Sequence, residues 1–147
     1  MVSRKCLNAI EGFEGFRAKA YNDFARGVLT IGFGRTQGVS IDDECTRPQA
    51  EVWLIEDTSI RQHEILQFVK VPLVDYEMAA LVSFAYNEGM GAERDSTLVK
   101  LLNEGKKSLA ANEFGKWNKA KVNGVMVAVP GLTRRRTWER ASFLNEI

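Results

Sequence analysis

Two acidic residues near the amino end, Glu14 and Asp23, are spaced in a way that could support chemistry. Eight residues separate them in the 147-residue chain, and Thr30 follows in the next predicted strand. Glycoside hydrolysis uses such a pair: one carboxylic acid protonates the departing oxygen, and one carboxylate activates water or stabilises an oxocarbenium-like transition state. Two acids among 19 acidic residues are weak evidence alone, because most such residues are solvated charges.

Other kinds of chemical site lack the residues that they need. His63 is the only histidine, and no second His or Cys lies at ligand spacing, which argues against a metal site and a catalytic triad. No serine lies in a G-x-S-x-G turn, and no P-loop is present. Cys6 and Cys45 form no C-x-x-C motif, so reduced thiols are expected. The sequence therefore predicts no metal and no cofactor.

A helix followed by a hairpin would let Glu14 and Asp23 face each other. Apolar residues recur at helical spacing from Leu7 to Phe13, which predicts a short helix that Glu14 closes. From Ala20 to Thr36, aromatic and β-branched residues are punctuated by glycines, a pattern typical of short strands.

The rest of the chain has mainly helical patterns. Helices are predicted from Thr46 to about Val69, from Asp75 through Tyr86, from Ser96 towards Gly105, from Ser108 to about Trp117 and after Pro130. The Asn123-Gly124 pair predicts a small hairpin or an extended loop. Strands confined to the amino end predict one α+β domain over residues 1–147, with a β lobe at about 18–45. The first helix and about 46–147 would form a helical lobe, with a cleft between the lobes.

The composition limits the partners. The 20 basic and 19 acidic residues leave a net charge of +1, so no long-range field would hold the chain on nucleic acid or on an anionic membrane. Charged residues interrupt the first 16 positions, which argues against a signal peptide, and no stretch approaches the roughly 18 apolar residues of a membrane span. Accumulation in the cytoplasm without stable membrane association is therefore expected.

The segment EGFRAKAYNDFARGVLTIGFGRT, from Glu14 to Thr36, resembles the signature of the phage-type lysozymes. This is glycoside hydrolase family 24, the T4 lysozyme-like endolysins. The later blocks MAALVSFAYNEG, STLVKLLNEG, AANEFGKWNKA and PGLTRRRTWER resemble the family in the same order. The resemblance covers almost the full chain and implies a lysozyme-like fold.

Carried over to this sequence, the resemblance implies three catalytic residues. Glu14 would be the general acid, Asp23 the second carboxylate, and Thr30 the hydroxyl that helps to hold the attacking water, in a reaction with inversion. We expect Glu14 to be desolvated by Phe13, Phe16 and the β lobe, which disfavours its charged form and keeps it usable as an acid.

Three features depart from the family pattern or complicate it. Glu11 also precedes a glycine, but its spacing to Asp23 is wrong, so it is interpreted as structural or exposed. Six residues separate Asp23 from Thr30, one more than usual, which predicts an extra residue in the turn at Ala25 to Gly27. Arg35 stands where the family usually has His; we expect it to pair with a carboxylate of the helical lobe without acting as a pH switch.

Arg35, Tyr86 and Asn87 are the candidate substrate-binding residues. Tyr86 and Asn87 end the central helix where the family's counterparts face the cleft, although core packing is an equal alternative for Tyr86. At least two residues of the Arg134 to Arg136 cluster are expected in solvent at a helix start. Contact with the peptide stem or acidic groups of the substrate is the alternative for that cluster.

The predicted function is that of an endolysin. It would be a monomeric muramidase that hydrolyses β-1,4 bonds between N-acetylmuramic acid and N-acetylglucosamine in bacterial peptidoglycan and so lyses the host. It would reach the wall from the host cytoplasm through a holin-type membrane lesion. A lytic transglycosylase is one alternative, against which Asp23 and Thr30 argue. A non-catalytic peptidoglycan-binding domain is another, motivated by the extra turn residue and Arg35.

Overall fold

The computed structural model describes residues 1–24 and 26–147. Within these residues, seven α-helices and two β-hairpins follow one another as α1 (Arg4–Glu14), β1 (Arg17–Asp23), β2 (Val28–Gly32), α2 (Arg47–Phe68), α3 (Asp75–Glu88), α4 (Met90–Arg94), α5 (Thr97–Asn103), α6 (Lys107–Glu113), β3 (Lys119–Val122), β4 (Val125–Ala128) and α7 (Pro130–Phe143). The predicted mainly helical α+β architecture, with a small antiparallel sheet near the amino end, is confirmed.

Local sequence signals account for several element boundaries. The Thr46 hydroxyl accepts the Gln49 N–H at the start of α2, and the Ser96 hydroxyl accepts the Val99 N–H at the start of α5. Asn123 and Gly124 both have positive φ, as a two-residue hairpin turn between β3 and β4 requires. These boundaries lie within a residue of the predicted ones.

Helix α3 lies at the centre of the core. Its residues from Glu77 to Tyr86 are all buried, and it packs against α7, α2 and α1. The Phe84 ring contacts the rings of Phe114 and Trp117 edge-on, at centroid distances of 5.8 and 5.2 Å. The apolar run predicted for the core centre is therefore confirmed.

The carboxyl end of α1 meets the tip of the first hairpin. Helix α1 ends at Glu14, and Gly15 turns the chain with a positive φ of 72°. Strands β1 and β2 are antiparallel, with Asp23 opposite Val28 at the tip. The predicted extra turn residue belongs to the connection between these two strands, of which Ala25 lies outside the described residues.

Two helical details differ from the prediction. Gly89 ends α3 as expected, yet the short helix α4 begins at the next residue instead of a loop. The helix predicted from Ser108 to about Trp117 is α-helical only to Glu113 and continues as a 3-10 turn from Phe114 to Trp117. In the part of the chain that the structure describes, no helix has both the length and the apolar character needed to cross a membrane.

Candidate active site

A cavity of about 350 Å³ opens between the end of α1, the first hairpin turn, α3 and the start of α7. Its lining is Gly12, Phe13, Glu14, Arg26, Asn87, Val129, Gly131, Leu132, Arg134 and Arg135. Two predicted site residues, Glu14 and Asn87, line the cavity. Asp23 does not line it but forms an ion pair with Arg26, which does.

The Glu14 carboxylate is held by two guanidinium groups. Its side chain is 8% exposed, with Oε1 2.9 Å from Arg26 Nη2 and Oε2 2.7 Å from Arg135 Nη1. Burial was expected, but the two cations were not, and opposite charges at this distance favour the ionised form of a carboxyl group. Glu14 therefore lies in two salt bridges, which the expectation of an acid surrounded by apolar groups did not include.

The backbone of the β lobe approaches this carboxylate closely at Gly34. A Cβ atom there would lie 2.6 Å from Glu14 Oε1 and 3.2 Å from Tyr86 Cε1, and the φ of 90° also favours glycine. Only glycine fits without displacing Glu14. The G-x-G of the sequence signature thus shapes one wall around the predicted acid.

Asp23 lies at the end of β1 and shares Arg26 with Glu14. Asp23 Oδ2 is 3.7 Å from Arg26 Nε, and Asp23 Oδ1 accepts the Arg26 backbone N–H at 3.3 Å. Because both contacted nitrogens belong to one small planar group, the bridged Glu14 and Asp23 oxygens can be at most about 9 Å apart. The predicted carboxylate pair is therefore brought together.

Thr30 lies on the same face of the hairpin as Asp23 but does not line the cavity. It pairs with Tyr21, two residue pairs further from the tip than Asp23 and Val28, and alternate pairs share a face. The Thr30 side chain is fully buried, and its hydroxyl donates a 3.4 Å hydrogen bond to the Val28 carbonyl oxygen. The structure thus buries the hydroxyl that was expected to hold the water, and it bonds to its own strand.

The candidate substrate-binding residues divide into three environments. Arg35 pairs with Glu56 and Asp57 of α2 at 3.4 and 3.5 Å, as expected for a structural pairing, and lies outside the cavity at Glu14. Tyr86 is buried, and its hydroxyl donates a 2.7 Å hydrogen bond to the Phe33 carbonyl oxygen, which favours the core-packing alternative. Asn87 does line the cavity.

The expectation that at least two residues of the Arg134 to Arg136 cluster are solvated is wrong. Arg134 is exposed, but Arg135 and Arg136 are buried, at 4% and 1% exposure. Arg135 Nη1 donates to Glu14, while its other nitrogens donate to the Ser83 hydroxyl and carbonyl oxygens. Arg135 thus binds a carboxylate of the protein itself, and contact of the cluster with the substrate stays a prediction.

Arg136 lies at the centre of a buried ionic network. It donates to Glu88 Oε1 at 2.8 Å and to Asn87 Oδ1 at 2.9 Å, and its Nε lies 2.6 Å from Glu139 Oε1 as an ion pair without hydrogen-bond geometry. Glu139 Oε2 also accepts the Ser83 hydroxyl at 2.6 Å. The network fixes both Arg135 and Asn87, and so supports two walls of the cavity.

Two carboxyl groups, Glu139 of this network and the neighbouring Glu93, are strongly desolvated. Burial raises the pKa of Glu139 to about 6, although Arg136 and Arg135 act in the opposite direction. Burial, with the nearby Glu139 charge, raises the pKa of Glu93 well above its ordinary value, and neither Glu93 side-chain oxygen has a hydrogen-bond partner among the described residues. At pH values just above 4.5, the folded protein therefore binds more protons at these groups than the unfolded chain does.

We expect Glu93→Gln to stabilise the protein increasingly as the pH rises above about 4.5. The pKa of Glu93 is higher in the folded than in the unfolded protein, so the folded protein binds more protons. The free energy of unfolding therefore falls as the pH rises above the pKa of the unfolded chain. Glutamine does not titrate, so the variant does not lose this stability. Urea denaturation at pH 4.5 and 7.5 measures the effect.

Glu64, exposed on α2, provides the matched control for Glu93. Glu64→Gln should change the free energy of unfolding by a similar small amount at both pH values. An equal effect of Glu93→Gln at pH 4.5 and 7.5 would contradict the assigned burial.

Glu11, the competing acid in the sequence, faces away from the cavity. Burial and the neighbouring charge of Glu51 on α2 raise the pKa of Glu11, and Glu11 is absent from the cavity lining. Its interpretation as a structural residue fits this position.

Sequence reasoning missed four residues that hold the site: Arg26, Ser83, Arg135 and Glu139. A signal existed for the last two, since Arg135 and Arg136 precede Glu139 by four and three residues, the spacing at which helical side chains pair. Ser83 is inconspicuous within an apolar helix. For Arg26, the only signal was its place in the turn after Asp23.

Comparisons with known proteins identify the family. The model of the phage lysozyme family matches residues 11–139. The chain belongs to the phage lysozyme family. An endolysin of Acyrthosiphon pisum secondary endosymbiont phage 1 is 44% identical over 97% of each chain, and one of Bacillus phage PZA is 40% identical over 97% of this chain and 54% of that protein. The chain thus spans about half the length of the second relative.

Structural similarity agrees with this family. The endolysin from Escherichia coli O157:H7 phage FAHEc1 has a TM-score of 0.87 and 38% identity, covering 100% of this chain and 95% of that one. The predicted lysozyme-like fold is confirmed, as is the predicted function at the level of a phage endolysin with lysozyme activity, a glycoside hydrolase that acts on peptidoglycan. Among the described residues, no cluster of three or more His, Cys, Asp or Glu side chains could hold a metal ion.

Proposed function

We propose that this endolysin is an inverting N-acetylmuramidase of the T4 lysozyme-like type, glycoside hydrolase family 24. It hydrolyses the β-1,4 bond between N-acetylmuramic acid and N-acetylglucosamine, with Glu14 as general acid and Asp23 as general base. The observation that carries this proposal is the Arg26 guanidinium group, which contacts both carboxylates at one cavity. The two acids can therefore act on one glycosidic bond.

The contacts of Arg26 are compatible with the separation of carboxylates that inversion requires. An inverting enzyme needs roughly 6.5–9.5 Å between its carboxyl groups, so that a water fits beside the sugar, whereas a retaining enzyme needs roughly 5–5.5 Å. The shared contacts with Arg26 place a Glu14 oxygen and an Asp23 oxygen at most about 9 Å apart, a limit that admits the inverting separation. Asp23 can thus take a proton from a water placed between the two carboxylates, while Glu14 gives one to the departing oxygen.

Two further residues serve the same reaction in this proposal. Arg135, buried and anchored on Ser83, fixes the direction of the Glu14 carboxylate. Asn87 lines the cavity and its Oδ1 accepts from Arg136, so its position is fixed for contact with a sugar substituent. Thr30 on β2 and Arg35 beside α2 retain a role in substrate or water binding only if the lobes rearrange around the sugar chain.

The distinguishing experiment is mass analysis of digested peptidoglycan. We expect reducing muropeptides that have gained one water at each cleaved bond. Anhydromuropeptides as the main product would instead indicate a lytic transglycosylase, and intact peptidoglycan would indicate a non-catalytic binding domain.

Asp23→Ala tests the second carboxylate in the same assay. Loss of the general base is expected to slow product formation by roughly 10²–10⁴-fold. Full activity of this variant would show that another group activates the water.

The biological setting proposed from the family resemblance is host lysis by a monomer. The protein would accumulate in the host cytoplasm and reach the wall once a holin-type protein opens the membrane. Expression with and without such a protein tests this setting, because rapid lysis should require both.

A further inference from the structure

The side chain of Arg26 occupies the position between the two proposed catalytic acids. Its Nη2 donates to Glu14 Oε1 and Oε2 at 2.9 and 3.1 Å, and its Nε lies 3.7 Å from Asp23 Oδ2. The Arg26 side chain is 25% exposed and lines the cavity. A sugar chain with its scissile bond between Glu14 and Asp23 would need the same space.

The two arginines on Glu14 are anchored differently. Arg135 is buried, is held by both oxygens of Ser83 and stacks over Phe13 with 5.2 Å to the ring centroid. Arg26 stands on a hairpin turn, and its backbone N–H donates to the Asp23 carbonyl and carboxylate oxygens. Rotation of the Arg26 side chain therefore leaves its backbone bonds intact, whereas displacing Arg135 would break a buried network.

A cation between two carboxylates opposes the chemistry that one of them must perform. A general acid has to carry a proton when the substrate is bound, and a cation in contact with it works against that requirement. The charged and titratable groups that face Glu14 are Arg26 from the turn, Arg135 from α7, Asp23 and Tyr21 from β1, and Tyr86 from α3. Of the two cations among them, Arg26 is the more exposed, at 25% against 5% for Arg135.

We propose that Arg26 is a positioning residue that bridges Glu14 and Asp23 in the free enzyme and is displaced by the peptidoglycan sugar chain. Displacement leaves Glu14 with Arg135 alone, and the carboxyl group then takes up the proton that it delivers to the glycosidic oxygen. Binding and activation of the acid are thereby coupled. This inference rests on the catalytic roles proposed for Glu14 and Asp23.

The pH dependence of Arg26→Met tests the bridge on soluble peptidoglycan oligosaccharides. The profile of kcat/KM reports the free enzyme, and that of kcat reports the enzyme–substrate complex. Without the cation, we expect the alkaline limb of the kcat/KM profile to move to higher pH, while the kcat profile stays in place. Arg26→Lys, which keeps the charge, should restore the limb largely to its original position.

Lys19→Met provides the charge-matched control, because Lys19 is an exposed cation on the same hairpin. It should leave both profiles unchanged, and Arg26→Gln repeats the test with a second neutral side chain. A kcat/KM limb that does not move, or a kcat limb that moves with it, would overturn the inference. A different result would show that Glu14 is not the general acid: the Glu14→Gln variant would then remain active.

Discussion

Glu14→Gln is expected to remove nearly all lytic activity. Glutamine keeps the size of the side chain but has no proton to give to the departing glycosidic oxygen. General acid catalysis contributes roughly 10²–10⁴-fold to such reactions, so the rate should fall at least that far. The decrease in turbidity of outer-membrane-permeabilised cells measures it directly.

Glu11→Gln is the matched control for Glu14→Gln. Both residues lie on α1 and precede a glycine, but Glu11 faces Glu51 and not the cavity. Glu11→Gln should therefore clear cells at close to the original rate. An active Glu14 variant together with an inactive Glu11 variant would reverse the assignment of the acid.

Arg136→Met is expected to produce the largest loss of stability. Its guanidinium group is buried among Glu88, Asn87 and Glu139. Removing one partner of a buried ion pair leaves the other charge uncompensated, which costs about 3–5 kcal/mol. Denaturant unfolding monitored by circular dichroism provides the free energy of unfolding.

Arg134→Met removes the same charge from an exposed position two residues earlier on α7. Surface substitutions of this kind usually change stability by less than about 0.5 kcal/mol. A similar small effect of Arg136→Met would contradict the buried network.

The sequence predicted well those features that local residue chemistry determines. Thr46 and Ser96 could be recognised as helix caps because a cap needs only a hydroxyl and the N–H groups that follow it. The turn at Asn123-Gly124 likewise needs only residues that tolerate positive φ. The pairing of Glu14 with Asp23 followed from a helix that leads directly into a hairpin.

The surroundings of those acids could not be predicted because distant segments supply them. Arg135 reaches Glu14 across 121 residues of sequence, and its burial depends on Ser83 of α3. Three consecutive arginines usually indicate a solvated surface, and only the packing of α7 against α3 separates exposed Arg134 from its buried neighbours. Thr30 had the expected residue type, but the packing around β2 determined whether it met the cavity.

The fold therefore supports the site through charge pairs and not through burial alone. Glu14 contacts Arg135, Arg135 contacts Ser83, and Ser83 contacts Glu139, which also holds Arg136. Glu14 belongs to α1, Ser83 to α3, and Arg135 and Glu139 to α7. The direction of the Glu14 carboxylate therefore depends on how these three helices pack. Substitutions within this chain should affect stability and catalysis together.

The stereochemistry of the first product tests most directly the claim that Glu14 and Asp23 divide the acid and base roles. Proton NMR of a soluble peptidoglycan oligosaccharide, recorded before the reducing ends interconvert, shows which anomer is released first. Direct attack by a water held at Asp23 predicts the α-anomer from the β-1,4 bond. Initial release of the β-anomer would contradict the account, because it would require a covalent intermediate and a second displacement.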